Sequence, residues 1–134
     1  MLGFFTVSCS FERSACPAAA TLDILGDRWT ILVLRDLFVG KKRFAEFLAS
    51  PEEISTNILA ARLKRLEGLG LVEREPYQDK PVRYQYRLTV KGADTLPILQ
   101  AVARWGNQHL EGTWQPPAGF YDLTPESWLR AQQS

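Results

Sequence analysis

ISTNILAARLKRLEGLGLVERE (residues 54–75), PYQDKP (76–81) and VRYQYRLT (82–89) run on without a gap, and their reading decides the fold. Ser55 is a good N-cap, with a side-chain oxygen able to satisfy an orphan N–H of a first helical turn. Leu59, Leu63 and Leu66 follow at i, i+4 and i+7, the buried stripe of an α-helix. Gly68 and Gly70 stop that helix. Leu71-Val72 begins a strand, the segment from Pro76 to Pro81 is expected to turn, and Arg83 to Leu88 returns as a second strand. A helix followed by a hairpin, with basic side chains along both, is the order of a winged helix-turn-helix.

Working outward toward the N-terminus, residues 1–15 read as a loose arm, and Cys16-Pro17 opens the first helix, proline being well suited to the first helical position. Leu22, Leu25 and Trp29 recur at helical spacing, with Gly26-Asp27 breaking the run. Trp29 to Val39 is apolar almost all round, which predicts a central, buried helix ended by Gly40. Lys41-Lys42-Arg43 precedes a short amphipathic piece, Phe44 to Ala49, with Phe44, Phe47 and Leu48 facing inward. Ser50-Pro51-Glu52-Glu53 is the turn, so two helices joined by a short connection precede the hairpin. On the other side, Thr89 caps a last long helix reaching about Leu110, which Pro97 should kink or divide. The fold class expected is therefore mainly α with a small antiparallel β-wing: an arm over 1–15, a winged domain over 16–111, and an aromatic tail over 112–134.

Composition narrows the function. The 134 residues, 46% hydrophobic and 23% charged, are ordinary for one globular domain, so wholesale disorder is excluded. The net charge of +1 is uninformative, but between Gly40 and Lys91 eleven Lys/Arg face seven Asp/Glu, and the rest of the chain is net acidic. The positive excess lies on the helix and hairpin, as expected of a phosphate-binding surface. Two cysteines are too few for a disulfide framework or a zinc site. The opening MLGFFTVSCS lacks a basic segment and a long apolar run, and no stretch approaches the roughly 20 apolar residues of a membrane span. A cytoplasmic location with reduced thiols, no cofactor and no metal is the expectation.

A helical wheel places Asn57, Ala60, Ala61 and Lys64 opposite the leucine stripe, where they would enter a major groove. Asn pairs bidentately with adenine, Lys with guanine acceptors or a phosphate, and alanines permit close approach and contact with a thymine methyl. Ser55 and Thr56, at the positive end of the helix dipole, suit a phosphate. Lys42 and Arg43 are placed to grip the DNA backbone, and Lys80 and Arg83 of the hairpin to reach the minor groove or its flanking phosphates. Arg62 lies toward the buried stripe and is expected to snorkel, or to pair with an acid such as Asp36, rather than read bases.

These residues carry a family resemblance. CPAAATLDILGDRWTILVLRDLFVGKKRFAEFL (16–48), then ISTNILAARLKRLEGLGLVERE and YRLTVKGADTLPILQAVARWGNQH (86–109), resembles the HxlR-type winged helix family of bacterial transcriptional regulators, relatives of MarR. The Cys-Pro start, the Gly-Asp-Arg-Trp turn, the Ile-Ser opening of the reading helix and the Tyr-x-Leu-Thr-x-x-Gly approach to the last helix occur in order. The resemblance implies a homodimer, built from the first and last helices, on a roughly palindromic double-stranded operator. It also implies regulation, as a repressor, by thiol chemistry, an electrophile or a small ligand. Cys16 matches a position where some members sense oxidants, and a helix N-terminus favours the reactive thiolate; Cys9 could serve as a resolving thiol. The competing reading of Cys16 is a small buried hydrophobe.

Three further features bear on function. His109, the only histidine, has no ligand partners nearby in sequence, and an enzyme pairing Cys16 with His109 would lack anything to orient the pair, so no enzyme is expected. Trp105 is assigned to a dimer core, with a ligand pocket as the alternative. Trp114, Phe120, Tyr121 and Trp128 are too many aromatics to leave in water, so the tail should fold onto the body or the partner, or wall a small-molecule pocket. The rival to a DNA-binding regulator is a winged helix used for protein contacts without specific DNA binding.

Overall fold

The computed structural model describes residues 13–133. The chain runs α1 (Pro17–Leu25), α2 (Thr30–Phe38), α3 (Phe44–Leu48), α4 (Thr56–Gly68), β1 (Val72–Asp79), β2 (Val82–Leu88), α5 (Val90–Ala93) and α6 (Leu96–His109), then a 3-10 turn at Phe120–Asp122 and α7 (Pro125–Gln132). The helices thus accompany one two-stranded antiparallel wing, buried only at its base.

Side chains set the helix ends. Asp27 accepts from the backbone N–H groups of Trp29 (2.8 Å) and Thr30 (2.9 Å) and from the Thr30 hydroxyl, so it starts α2. Ser55 accepts from the Ile58 N–H and starts α4. The end of α4 is a Schellman motif, in which the Leu71 N–H donates to Leu66 O (2.9 Å) and the Gly70 N–H to Glu67 O (3.0 Å). Gly70 has φ +81, the left-handed conformation such an end requires.

The core forms where these elements meet. Val33, Leu34 and Leu37 of α2 pack with Phe47 of α3, with Leu59, Leu63 and Leu66 of α4, and with Val72 and Leu88 at the base of the wing. Gly92 explains the last of the sequence signatures. A Cβ there would lie 2.0 Å from Leu71 O, so only glycine lets α5 sit against the start of β1.

Two expectations are corrected, those for the segment 76–81 and for the partner of Arg62, while the division expected near Pro97 is observed. The segment 76–81 is not all turn: β1 continues to Asp79, and the reversal is Lys80-Pro81 alone, with Val82 already in β2 and the peptide bond before Pro81 cis. Pro76 is tolerated because β1 is an edge strand, and the register slips between Pro76 and Gln78. The helix after Thr89 is two helices: Thr89 caps α5, and Pro97 lies in the first turn of α6, where its missing N–H costs nothing. Arg62 does not pair with Asp36; its Nε donates to Asp27 (3.2 Å), while Asp36 is taken by Arg35 and Ser50.

The tail folds back on its own chain. Trp128 is buried, donates its indole N–H to Phe38 O (3.0 Å) and meets the Phe38 ring edge-on. Phe120 and Tyr121 are half-buried, whereas Trp114 is 79% exposed.

Candidate nucleic-acid interface

Ser55, Thr56, Asn57, Ala60, Ala61 and Lys64 all lie on the exposed side of α4, opposite the buried leucines. Lys42, Arg43, Lys80 and Arg83 are exposed as well. The Ser55 oxygen is engaged as acceptor for Ile58, which leaves its O–H free to donate.

Which cations are available is decided by pairing. Within α4, Arg62 is held by Asp27, and the Arg65 guanidinium donates to the carbonyls of Asp23 and Ile24, where it also complements the C-terminal dipole of α1. Lys64 has no hydrogen bond or ion pair with any described residue. In the wing, Arg74 is paired with Glu67 (3.4 Å) and lies over Tyr84, and Arg87 is paired with Glu73 across the strands (2.9 Å). The Lys91 ammonium donates to Leu69 O, and that of Lys41 to Ser50 Oγ. Lys80 and Arg83 have no such partners among the described residues. The eleven cations of this segment thus divide into six committed to the fold and five presented outward: Lys42, Arg43, Lys64, Lys80 and Arg83.

Lys42 and Arg43 belong to the wing as much as to α3. The Tyr86 N–H donates to Lys42 O (2.8 Å), and Arg43 forms an isolated antiparallel bridge with Gln85. The Arg43 guanidinium stacks on Tyr77, with 3.7 Å to the ring centre. Glu46 accepts from the N–H groups of Lys42 and Arg43, and these bonds hold its carboxyl below the usual range.

Two contributors escaped sequence reasoning. Asp27 caps α2 and anchors α4 through Arg62. Partial burial raises its pKa, but the hydrogen bonds from Thr30, Trp29 and Arg62 outweigh that, leaving it well below the ordinary carboxylate value. Its capping role had a readable signal, an Asp just before an apolar helix; its bond to Arg62 had none. Tyr77, the platform for Arg43, stands at the register slip of β1, which the alternation of β1 does not announce.

Elsewhere, Cys16 is exposed at the N-cap of α1. The N–H groups of Ala19 and, less strongly, Ala18 hold its pKa below that of an ordinary thiol, although neither contact has the geometry of a full hydrogen bond. Cys9 lies outside the described residues. His109 is exposed, its ring tilted against Trp105 at 4.9 Å. Trp105 is itself 59% exposed in the single chain, as are Val102 of α6 (52%) and Leu22 of α1 (58%). Among the described residues no group of three His, Cys, Asp or Glu could hold a metal ion, and no helix is long and apolar enough to cross a membrane.

Comparison with known proteins bears on the same segment. The family model described as HxlR-like helix-turn-helix matches residues 24–113. The chain is 38% identical over 103 residues to the HTH-type transcriptional regulator sll1512 of Synechocystis, covering 77% of this chain and 76% of that protein. It is 40% identical over 96 residues to the HTH-type transcriptional regulator MT3179 of Mycobacterium tuberculosis, where the match spans 72% of this chain but only 60% of the relative. Among solved structures, the redox regulator HypR in its oxidized form superposes with a TM-score of 0.65 at 34% identity, covering 72% of this chain and 99% of that one. With its winged helix architecture and these relatives, the chain belongs to the HxlR-like helix-turn-helix family of DNA-binding transcriptional regulators.

Proposed function

We propose that the protein acts as a homodimer on a palindromic operator and represses transcription by occupying it. In this reading α4 enters the major groove, with Asn57 and Lys64 against base edges, Ala60 and Ala61 permitting close approach, and Ser55 and Thr56 at a phosphate. Lys80 and Arg83 of the wing, with Lys42 and Arg43 at its base, hold the flanking phosphates. The observation that carries the reading is the division of the cations: those with no partner, or only an aromatic platform, face outward from α4 and the wing, while the others stabilise the fold. A basic surface serving only solubility has no reason to sort itself this way.

The dimer is supported by apolar side chains that the single chain leaves in water. Leu22 on α1 and Ile98, Val102 and Trp105 on α6 are exposed, and helical spacing puts the last three on one stripe. We assign residues 16–111 to the DNA-binding unit with its dimerisation helices, 1–15 to an arm and 112–134 to a tail. The exposed, acidified Cys16 is suited to thiol-based control of operator binding, with an oxidant or electrophile as the effector.

The test is anisotropy titration of the full chain against a duplex carrying the inverted repeat upstream of its own gene, alongside mass measurement in solution. A particle of two chains and sequence-specific binding are expected. Lys64→Ala should weaken specific binding by about 1–3 kcal/mol, the value of a base contact. Unchanged affinity and sequence preference in that variant would remove α4 from the groove.

A further inference from the structure

Two arginines at the wing lie on tyrosine rings, and they differ in what else holds them. Arg74 lies over Tyr84, 4.2 Å from the ring centre, and is also paired with Glu67 at 3.4 Å. Arg43 lies over Tyr77 at 3.7 Å and has no carboxylate within ion-pair distance among the described residues. Glu46, the nearest acid in sequence, attracts Arg43 only from beyond that distance, and its Oε1 accepts from the backbone N–H groups of Lys42 and Arg43. The difference is chemical. A carboxylate occupies the N–H donors of a guanidinium and offsets its charge. A ring face does neither: 3.7 Å is the separation of stacked planes, and the N–H donors of an arginine lie in the guanidinium plane, directed away from such a ring.

The backbone brings the pair together across the wing. Arg43 forms an antiparallel bridge with Gln85 of β2, and the Tyr86 N–H donates to Lys42 O (2.8 Å), so residues 42 and 43 lie against β2 on the side away from β1. On its other side Gln85 pairs with Glu75 of β1, whose carboxylate accepts from the Gln85 amide (3.2 Å). Arg43, Gln85 and Glu75 therefore stand in one row across a face of the wing, and Tyr77 follows Glu75 at the spacing that returns a strand to the same face. Tyr77 is also the extra residue of a bulge: Pro76 pairs with Tyr84 and Gln78 with Arg83, which leaves Tyr77 no Cα partner. Its half-buried ring is covered instead by the exposed Arg43, which reaches over β2.

We infer that Tyr77 is a positioning residue for DNA binding: its ring fixes the Arg43 guanidinium before DNA arrives and leaves the charge and the N–H donors for a phosphate. The inference rests on the proposed role of Arg43 as a phosphate ligand and adds a residue that itself touches no DNA. An arginine side chain that moves freely loses rotamer freedom when it grips a phosphate, and one already stacked loses less. That ordering is worth about 2- to 12-fold in affinity for each immobilised side chain, or roughly 5- to 150-fold for the two subunits of the proposed dimer.

Anisotropy titration of the full chain against the inverted-repeat duplex, at several salt concentrations, tests the inference. Tyr77→Leu should weaken binding by roughly the dimer factor with the salt slope unchanged, because Arg43 still meets its phosphate. Tyr77→Phe keeps the ring and should bind within about twofold of the parent chain. Arg43→Ala should flatten the slope by about 2, and adding Tyr77→Leu to it should change affinity by less than about twofold. In the chain without DNA, the Arg43 δ-methylene protons should resonate upfield, under the Tyr77 ring current, and return to ordinary positions in Tyr77→Leu. Equal losses from Tyr77→Leu with and without Arg43 would overturn the inference, making the residue a prop of the wing. So would a Tyr77→Phe loss as large as that of Tyr77→Leu, which makes the hydroxyl a DNA contact, or δ-methylene protons unshifted in the parent chain. A parent chain that binds no duplex defeats the operator reading and this inference with it. Parent binding matched by Tyr77→Leu defeats only this inference.

Discussion

Raising monovalent salt from about 50 to 200 mM should weaken operator binding by roughly 10⁴-fold. The magnitude comes from the pairing pattern. Of the eleven Lys/Arg between Gly40 and Lys91, six are spent on Ser50, Asp27, the α1 carbonyls, Glu67, Glu73 and Leu69 O. If Lys64 addresses a base, Lys42, Arg43, Lys80 and Arg83 remain as phosphate ligands, eight in the proposed dimer. At about 0.9 counterion released per phosphate, log K should fall against log salt with a slope near −7. Counting every cation of the segment would instead give about −20. Anisotropy titrations at several salt concentrations measure the slope. Lys80→Ala should flatten it by about 2, one ion for each subunit, while Arg74→Ala should leave it unchanged. A slope near −20 would mean that the paired cations abandon their partners on DNA, and one shallower than about −3 would favour a protein-contact module; either refutes the assignment.

Other outcomes follow from contacts elsewhere in the fold. Asp27→Ala removes the cap of α2, worth about 1 kcal/mol, and the partly exposed bond to Arg62, worth roughly another 0.5–1 kcal/mol, so urea unfolding should show a loss near 2 kcal/mol. Because the Asp27 pKa is depressed in the folded chain, its contribution is present above the unfolded value of about 3.9 and is lost as pH falls toward the folded one; the stability gap to Asp27→Asn should narrow below about pH 4. Gly92→Ala drives a Cβ into the Leu71 carbonyl and should cost about 3 kcal/mol, whereas Gly68→Ala meets open space at the last turn of α4 and should stabilise by about 0.5–1 kcal/mol in the same thermal melt. Trp128→Phe retains an aromatic, though smaller, ring but strips Phe38 O of its donor, for a loss of about 1–3 kcal/mol in urea unfolding; a neutral result would show the tail helix is not anchored there. Alkylation of Cys16 in a Cys9→Ser background should show a midpoint below the ordinary thiol value of about 8.5, and a midpoint at or above it would deny Cys16 its activated thiolate.

The elements whose causes are local were legible in the amino-acid order. Ser55 caps α4 three residues ahead of its donor, the leucine stripe repeats within two turns, and Gly70 closes the helix through bonds spanning five residues. Such interactions depend on chain geometry alone, so the helix, the hairpin after it and the outward face of α4 could be read without knowing what packs where. Even the division at Pro97 was foreseeable, though not that Pro97 would sit in a first turn rather than at a kink. What tertiary structure decided was partnership across long separations. Asp36 was the acid the sequence suggested for Arg62, and the choice of Asp27 instead, 35 residues away and just ahead of α2, depends on how α2 and α4 cross. Lys41 and Lys42 are adjacent and alike in sequence, yet folding commits one ammonium to Ser50 and leaves the other without a partner among the described residues. Periodicity reports which face of an element is apolar; only the packing of elements determines which charges are neutralised, and hence which remain to meet a ligand.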